Sequence, residues 1–498
     1  MTSAIRFEIA FQAYEIQNKK NSYGQIIELA EKYKISTSFL YQLLARLRTL
    51  LSFTFSPKEQ EKQISKKEII SKMLLLKMVG RSSVSSISQI MKYDGLKYSG
   101  VGSISQILLD VGSLLPKVQA VRLDKKKEIT VVSDEIFIGT QPILISVEPK
   151  SSLILSAELG VNRKKVTWLK HIEDVGSSGD IEIVKMVTDE GTGICSGINE
   201  NSISWQSDTY HSIAHRLGKW VSVLERRAYK RINLEYERKR MIISAKTQKV
   251  INHRRYEYQK AKNKTLEAIE IYEDFTYLYQ YIINQMQPFY SNGNIRNKKS
   301  SEENIMVALE LIKSLQNEKI DIQVTSIEKL VPNLLNYFTE AKTAIKKCKK
   351  LGIEDENITL FTLIWRWDKE LIKAKKYQRR RKARNELNFY IEYAKDSLGD
   401  GYREMKNRIF NQLDNIIQAS SMVENINSIL RPYLNNSKNQ ITQKFLNLFM
   451  FYHNHRRYKA GKRKGKTPME IFTDREQKKD WIELLTDFIE KKEPNFFH

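Results

Sequence analysis

The chain has 498 residues, more than one hydrophobic core usually organises, so three or four structural units are expected. Its formal charge of +25 is a true excess of Lys and Arg, and it predicts a polyanionic partner. The sequence has no long uncharged apolar run, no signal-peptide pattern and no metal-ligand spacing around Cys195 or Cys348, which predicts a soluble, intracellular protein without a membrane partner, disulfide framework or zinc ribbon.

A helix-turn-helix pattern lies near the N-terminus, in residues 25–50. Two helical stretches are separated by a short polar break, and Ser36 is placed to cap the second. An ordinary helical hairpin is the alternative, because Lys34 stands where such turns often carry Gly. The residues that can close a small core are Ile26, Leu29, Ala30, Ile35, Phe39, Leu40, Leu43 and Leu44. The residues predicted to face a DNA groove are Thr37, Ser38, Gln42 and Arg46.

A second helical region is predicted over residues 56–122. The pentapeptide Ser-Ile-Ser-Gln-Ile occurs twice, beginning at Ser86 and at Ser103, and two short helices around Asp94 and Gly95 fit this pattern. We interpret the region as a further DNA-binding region, with a second helix-turn-helix as one form that it could take.

The periodicity changes to short β-rich runs from Glu128 onwards. Three strands joined by tight turns are followed by a helix and a fourth strand, an order that indicates an α/β core over residues 123–218. The predicted strands are 129–137, 142–148, 152–158 and 181–189, and the predicted helix is 165–175. Residues 219–418 instead predict an all-helical insertion, with breaks near Pro288, 291–294 and Gly352. Its basic run 379–384 is interpreted as a solvated helix face that could track phosphates.

Two aspartates stand at informative places in the strands. Asp134 lies inside the first strand, where apolar alternation does not favour an acid, and its neighbour Glu135 points to the opposite face. Asp189 ends the fourth strand before a Gly-rich loop. If these strands are neighbours, the two carboxylates can share a cation, as in two-metal sites for phosphoryl displacement. The alternative is that each acid merely ends a strand or caps a loop.

Glu424 supplies a third carboxylate on a predicted helix. Asn427 and Arg431 follow it near one face at spacings of three and four, beside a neighbouring apolar stripe, so one face can serve metal and phosphate while the other packs. Residues 453–466 contain no acid and predict phosphate binding, with a merely solvated segment as the alternative. Its predicted DNA contacts are Arg456, Arg457, Lys462, Arg463, Lys464 and Lys466. His453 and His455 are spaced wrongly for a zinc pair on one helix face.

The last region reads Glu424-Asn-x-Asn-Ser-x-Leu-Arg-Pro-Tyr, followed by Leu448-Phe-Met-Phe-Tyr-His-Asn-His-Arg-Arg-Tyr and Gly461-Lys-Arg-Lys-Gly-Lys-Thr-Pro-Met-Glu-Ile. Together with the two aspartates, this block resembles the DDE transposases of bacterial insertion sequences, which belong to the ribonuclease-H-like superfamily. The resemblance covers roughly residues 129–208 and 421–472. It carries the three family acids to Asp134, Asp189 and Glu424.

The resemblance implies a multidomain α and α/β protein. A helix-turn-helix domain (1–55) precedes a ribonuclease-H-like core in two parts (123–218 and 419–475), which the insertion interrupts, and a helical tail follows (476–498). It also implies two Mg²⁺ or Mn²⁺ ions per active site, with Asp134 bridging both ions and Asp189 and Glu424 each holding one. The expected activity is cleavage at the element ends and joining of the 3′-hydroxyl to target DNA.

The expected partner is double-stranded DNA, both the terminal inverted repeats of the element and its target. The expected assembly is a homodimer or higher oligomer on DNA, and the expected location is the bacterial cytoplasm at the nucleoid. The 235 positions between Asp189 and Glu424 imply the large insertion. Asp208 is a competing acid and His211 could assist phosphate contact, with a core-facing or capping role as the alternative for both. The alternative functions are a catalytically inactive, transposase-derived DNA-binding regulator and a ribonuclease-H-like structure-specific nuclease that does not join strands.

Overall fold

The computed structural model describes residues 1–19, 22–55, 64–315, 317–438 and 440–498, and it divides the chain into two compact units, residues 1–69 and 70–498. The described residues are mostly helical and contain one mixed five-stranded sheet, as expected of a multidomain α and α/β protein. The predicted domain boundary at residue 56 lies outside the described residues. No helix in the described ranges combines the length and the apolar character that crossing a bilayer requires.

The described part of the N-terminal unit before residue 56 forms the helices α1 (Ser3–Gln17), α2 (Gln25–Lys32) and α3 (Thr37–Phe55). The amide of Phe39 donates to the Ser36 hydroxyl at 3.2 Å, so the predicted cap of α3 is confirmed. Lys34 takes the left-handed conformation, with φ of 55°, in the turn between α2 and α3. The predicted core residues pack together and also contact α1, which the sequence pattern did not assign to this core.

Three helices form the second helical region, α4 (Lys66–Met78), α5 (Val84–Tyr93) and α6 (Val101–Leu114). The two predicted short helices around Asp94 and Gly95 are therefore confirmed as α5 and α6. Ile87 and Ile104, which occupy the same position in the two copies of the repeat, are both fully buried. The repeat thus marks the inward face of each helix.

The sheet contains β1 (Lys127–Ile138), β2 (Gln141–Glu148), β3 (Leu153–Leu159), β4 (Ile181–Thr188) and β5 (Ser204–Ser207). Its strand order is β3-β2-β1-β4-β5. The pairs β1–β2 and β2–β3 are antiparallel, whereas β1–β4 and β4–β5 are parallel. The four predicted strands are confirmed, and β5 is an additional strand.

Helices cover the sheet and hold its outer edge. The core under the sheet combines Trp168 and Ile172 of α7 (Lys165–Gly176) with Ile194 of α8 (Thr192–Glu200). After the helical insertion the chain returns as α18 (Ser421–Asn436) and α19 (Gln443–His455). The Asn454 side chain accepts from the amide of Ile154 and donates to its carbonyl, both at 2.9 Å, so α19 satisfies backbone groups of edge strand β3. Two short helices follow, α20 (Pro468–Thr473) and α21 (Trp481–Lys492).

The secondary-structure elements assigned to the described residues of the insertion are all helices, apart from one isolated β-bridge between Phe289 and Ile295, and the insertion has its own hydrophobic core. A π-helical turn (Tyr210–His215) leads into it, and Thr209 lies beside the point of return: its hydroxyl donates to the carbonyl of Gln418 at 2.9 Å. The predicted breaks near Pro288 and Gly352 separate helices. These helices are α9 (Arg216–Ile243), α10 (Gln248–Gln285), α11 (Lys298–Lys313), α12 (Glu318–Glu328), α13 (Val331–Leu334), α14 (Tyr337–Lys350), α15 (Asp355–Lys373), α16 (Tyr377–Leu398), a 3₁₀ turn (Gly399–Gly401) and α17 (Tyr402–Leu413).

Candidate active site

Asp134 and Asp189 meet at the carboxyl-end edge of the sheet, where β4 ends beside the central strand β1. Val132 of β1 is paired with Val187 of β4, and each aspartate follows its valine by two residues. Neighbouring strands lie about 4.8 Å apart, so two residues at the same height on parallel strands are adjacent. The predicted neighbour relation of the two strands is therefore confirmed, and with it the proximity of the two acids.

The environment of Asp134 favours its protonated form. Burial raises the pKa of Asp134 to about 6, and the negative charge of Asp189 contributes to the increase. The amide of Glu135 donates to Asp134 Oδ1 at 2.8 Å and opposes it, as does the nearby His211. The two aspartates thus form an anionic pair with little compensating positive charge.

Helix α18 brings two further polar residues to this edge. Asn427 is buried, and its Nδ2 donates to Asp134 Oδ2 at 3.0 Å. Glu424 lies one turn earlier on the helix and is half exposed, and its Oε1 contacts His211 Nε2 at 3.0 Å. The third predicted acid therefore reaches the same region, although Asn427 is directed at a carboxylate and not at solvent, where a DNA contact would lie.

Asp208 joins the two segments that carry His211 and Glu424. Its buried carboxylate accepts from the amides of Tyr210 at 2.6 Å and His211 at 3.3 Å. The second oxygen accepts from the amide of Ser420 at 2.8 Å and also from the Ser420 hydroxyl, immediately before α18 begins. The capping alternative for Asp208 thus describes its contacts, and a carboxylate at a helix N-terminus is also favoured by the helix dipole.

Glu190 anchors the insertion beside the site, a role that the sequence did not indicate. Its carboxylate accepts from the hydroxyls of Ser207 at 3.0 Å and Ser212 at 2.5 Å, and it pairs with Arg216 at 2.5 Å. Arg216 also donates to Ser326 of α12 at 2.6 Å. The only local signal is the Asp-Glu dipeptide at the strand end, since consecutive side chains of an extended segment point to opposite sides.

The donor atoms at this edge fit a hard divalent cation. Mg²⁺ prefers carboxylate, amide and water oxygens. Besides the two aspartates, the site contains Asn427 Oδ1, a buried oxygen with no hydrogen-bond partner. Among the described residues no three His, Cys, Asp or Glu side chains are grouped as metal ligands, and Glu424 is turned towards His211 in this arrangement. Metal binding by all three acids therefore requires the half-exposed Glu424 side chain to reorient.

The predicted DNA contacts of the basic segment divide into two groups. Arg457 donates to both carboxylate oxygens of Glu470 at 3.0 Å, and Arg463 donates to Ser152 Oγ at 2.9 Å and to the carbonyl of Pro149 at 3.1 Å. These two arginines hold the fold together, which the sequence did not indicate. Three predicted cations are exposed and form no ion pair among the described residues, namely Lys464 and Lys466 of the basic segment and Arg431 of α18.

The other two predicted cations of the basic segment, and its two histidines, contact the protein itself. Arg456 is half-buried and lies over the Tyr452 ring, 5.4 Å from its centre. Lys462 is exposed but pairs with Asp368 of α15. His453 Nε2 contacts the carbonyl of Ser152 at 2.9 Å, and burial lowers the pKa of His453 to about 3. His455 contacts Gln477, so the two histidines face different partners.

The candidate groove residues of the N-terminal unit lie on the outer face of α3. Thr37, Ser38, Gln42 and Arg46 are all exposed, so their predicted orientation is confirmed. Comparison of the sequence with models of known protein families and with curated proteins found no match.

Proposed function

We propose that this chain is a DNA transposase of the DDE type, with a ribonuclease-H-like core that cleaves and joins DNA strands at the site of Asp134, Asp189 and Glu424. One observation carries the proposal: acids from three distant parts of the sequence come to the same edge of a mixed sheet. The register of β1 and β4 supports the first two, and the contacts of α18 with Asp134 and His211 support the third.

Asp134, Asp189 and Glu424 would hold two Mg²⁺ or Mn²⁺ ions. Such ions, when bound, activate water or a DNA 3′-hydroxyl and stabilise charge on the scissile phosphate. The raised pKa of Asp134 and the unpartnered oxygen of Asn427 support a cation at this position. Asp134 must be ionised to serve as a ligand, so activity should increase as the pH rises through about 6.

The protein's own residues would position the reacting DNA. Asn427 orients Asp134, and Asp208 fixes the N-terminus of α18 and with it the position of Glu424. Exposed Arg431, Lys464 and Lys466 would contact phosphates, and the outer face of α3 would read the terminal inverted repeats. A homodimer or larger assembly would hold both ends of the element and the target DNA.

Single replacements of the three acids test the proposal. Asp134→Asn, Asp189→Asn and Glu424→Gln should each retain binding to element ends but abolish Mg²⁺-dependent joining. Glu135→Gln is the matched control, because Glu135 follows Asp134 on the same strand but pairs with Arg163 at 3.2 Å.

The products decide between this proposal and its competitors. Wild-type protein that cleaves without joining would be a structure-specific nuclease, and protein that binds ends without cleaving them would be a regulator. Normal joining by the Glu424→Gln variant would contradict the assignment of the third acid.

A further inference from the structure

Helices α9 and α10 extend beyond the core of the insertion as an antiparallel hairpin. Leu224 is the last residue of α9 in that core, and between residues 225 and 264 only Ala228 and Ala261 are buried. We call residues 225–264 the basic arm. At 1.5 Å per residue, its α9 part rises about 28 Å from Glu225 to Ile243. A hairpin of this length gains very little stability from apolar burial.

The basic arm concentrates the positive charge of the chain. It contains fourteen Lys or Arg residues and four Glu residues, so forty residues carry ten of the 25 net positive charges. Eleven of the fourteen cations are exposed. Within the described residues, none of the fourteen has a carboxylate within the 4 Å of an ion pair.

The spacing of these cations destabilises the hairpin when no anionic partner is bound to it. Arg226 and Lys230 lie four residues apart on α9, as do Arg227 and Arg231, and like charges at this spacing destabilise a helix. An ordinary solvated helix face mixes both signs of charge and relieves this repulsion with local ion pairs. The cations of the basic arm form no such ion pairs among the described residues, so their pattern is that of a surface that binds a polyanion.

We propose that the basic arm binds the phosphate backbone of duplex DNA, independently of base sequence. The inference rests on the proposed function, because DNA is the polyanion on which a transposase acts. A length of about 28 Å spans about eight base pairs at 3.4 Å each. Tyr229, Tyr236 and Tyr256 are 62%, 62% and 65% exposed among the cations, and their hydroxyls can donate to phosphate oxygens.

The experiment removes four exposed arm cations from the full-length protein, as Arg226→Gln, Lys230→Gln, Arg240→Gln and Lys260→Gln together. The matched control removes four exposed lysines of α14 in the same insertion, as Lys342→Gln, Lys346→Gln, Lys347→Gln and Lys350→Gln. Affinity for a duplex without element-end sequence is measured over a range of salt concentrations, with EDTA present so that no cleavage occurs.

The arm variant should bind at least tenfold more weakly at low salt. The slope of log affinity against log salt should become shallower by about 0.9 for each phosphate that the arm no longer neutralises, or by about 3 to 4 in total. The control should stay within about twofold of wild type. Equal slopes for the arm variant and the control would overturn the proposal. The arm variant should unfold at no lower temperature than wild type, since its like-charge repulsion is reduced.

Hydrogen exchange and an RNA competitor complete the test. DNA should slow amide exchange in residues 225–264, and unchanged exchange there would contradict binding by the arm. If RNA duplex binding depends on the four cations and DNA binding does not, the assignment to DNA is wrong. If the arm variant binds DNA like wild type but joining still requires Asp134, the proposed function stands and the role of the arm is wrong. If DNA binding depends on the arm but the protein shows no Mg²⁺-dependent cleavage, the role of the arm stands and the proposed function is wrong.

Discussion

The side chain of Asn427 donates a 3.0 Å hydrogen bond to Asp134, although the two residues are 293 positions apart in the sequence. This contact fastens α18 to β1 and fixes which face of the helix meets the two aspartates. Since Glu424 lies one turn before Asn427, the same contact places Glu424 at the edge of the sheet. The position of Glu424 at the site therefore depends on the neutral side chain of Asn427.

Asn427→Ala should weaken the use of metal more than the binding of DNA. Without the amide donor, the Asp134 carboxylate is deprived of a stabilising hydrogen bond, so the Mg²⁺ concentration for half-maximal joining should rise about tenfold. The pH at which joining begins should also shift upwards. Asn425→Ala is the control, because Asn425 is exposed on the same helix. Equal Mg²⁺ titrations for the two variants would contradict this role of Asn427.

Asp134→Asn should stabilise the protein in the absence of divalent cations. The pKa of Asp134 is raised from 3.8 to about 6, so the folded state holds a proton more tightly than the unfolded state, and this contribution to stability is lost as the pH rises through about 6. At pH 7 the ionised Asp134 lowers the free energy of unfolding by about 3 kcal/mol, and the neutral side chain of the Asp134→Asn variant has no such effect. Urea unfolding at pH 4 and pH 7 measures the difference.

The same pair of proteins tests the cation. Mg²⁺ should raise the thermal midpoint of the wild-type protein and leave that of Asp134→Asn nearly unchanged. A variant that is less stable than wild type at pH 7 without metal would show that Asp134 is not under electrostatic strain.

Asp208→Asn should lower both stability and joining, and leave end binding intact. The buried carboxylate accepts from two amides of the π-helical turn and from the amide and hydroxyl of Ser420, and an amide group would oppose some of these donors with its own hydrogens. The expected loss is about 2 to 3 kcal/mol in the free energy of unfolding. Ser420→Ala removes one donor and should cost less, about 1 kcal/mol. Wild-type stability and joining in Asp208→Asn would refute the positioning role.

Arg46→Ala should reduce discrimination between element ends and unrelated DNA by about 1 to 3 kcal/mol, without changing the fold. Arg46 is exposed on α3 and available to a groove. Arg48→Ala is the matched control, since it removes the same charge from the same helix, but Arg48 donates to Gln17 of α1 at 2.7 Å. Competition binding with the terminal inverted repeat and a scrambled duplex measures the discrimination of each variant. An equal loss of discrimination in both variants would argue for a general charge effect.

The strands that could be predicted are those whose local sequence is decisive. β1, β2 and β4 are rich in β-branched residues, and β3 is a mostly apolar run of seven residues. The sequence predicted every bound of these four strands to within two residues. β5 has only four residues, Ser204–Ser207, and no apolar alternation, so it has no local signal. Its position is set by pairing with β4, a long-range interaction.

The candidate site shows the same division. Asp134 and Asp189 could be chosen from the ends and interruptions of strands. Glu424 was a candidate from its place on a predicted helix face, and the family resemblance assigned it as the third acid. The sequence did not indicate that Arg457 and Arg463 contact Glu470 and the β2–β3 turn, because a basic run does not reveal which guanidinium groups meet protein acceptors. That choice depends on tertiary structure.

The contact of Thr209 with Gln418 joins positions 209 residues apart, so the chain leaves the sheet and rejoins it at nearly the same point. An excursion with adjacent ends can lengthen, shorten or be exchanged without moving the acids on either side of it, since closing a longer loop adds little entropic cost. A short linker in place of residues 219–417 keeps His211 and the two amides that bind Asp208, so it should preserve the geometry around Asp134. The 235 positions between Asp189 and Glu424 therefore imply no such separation in space, because the helical excursion begins and ends at adjacent points.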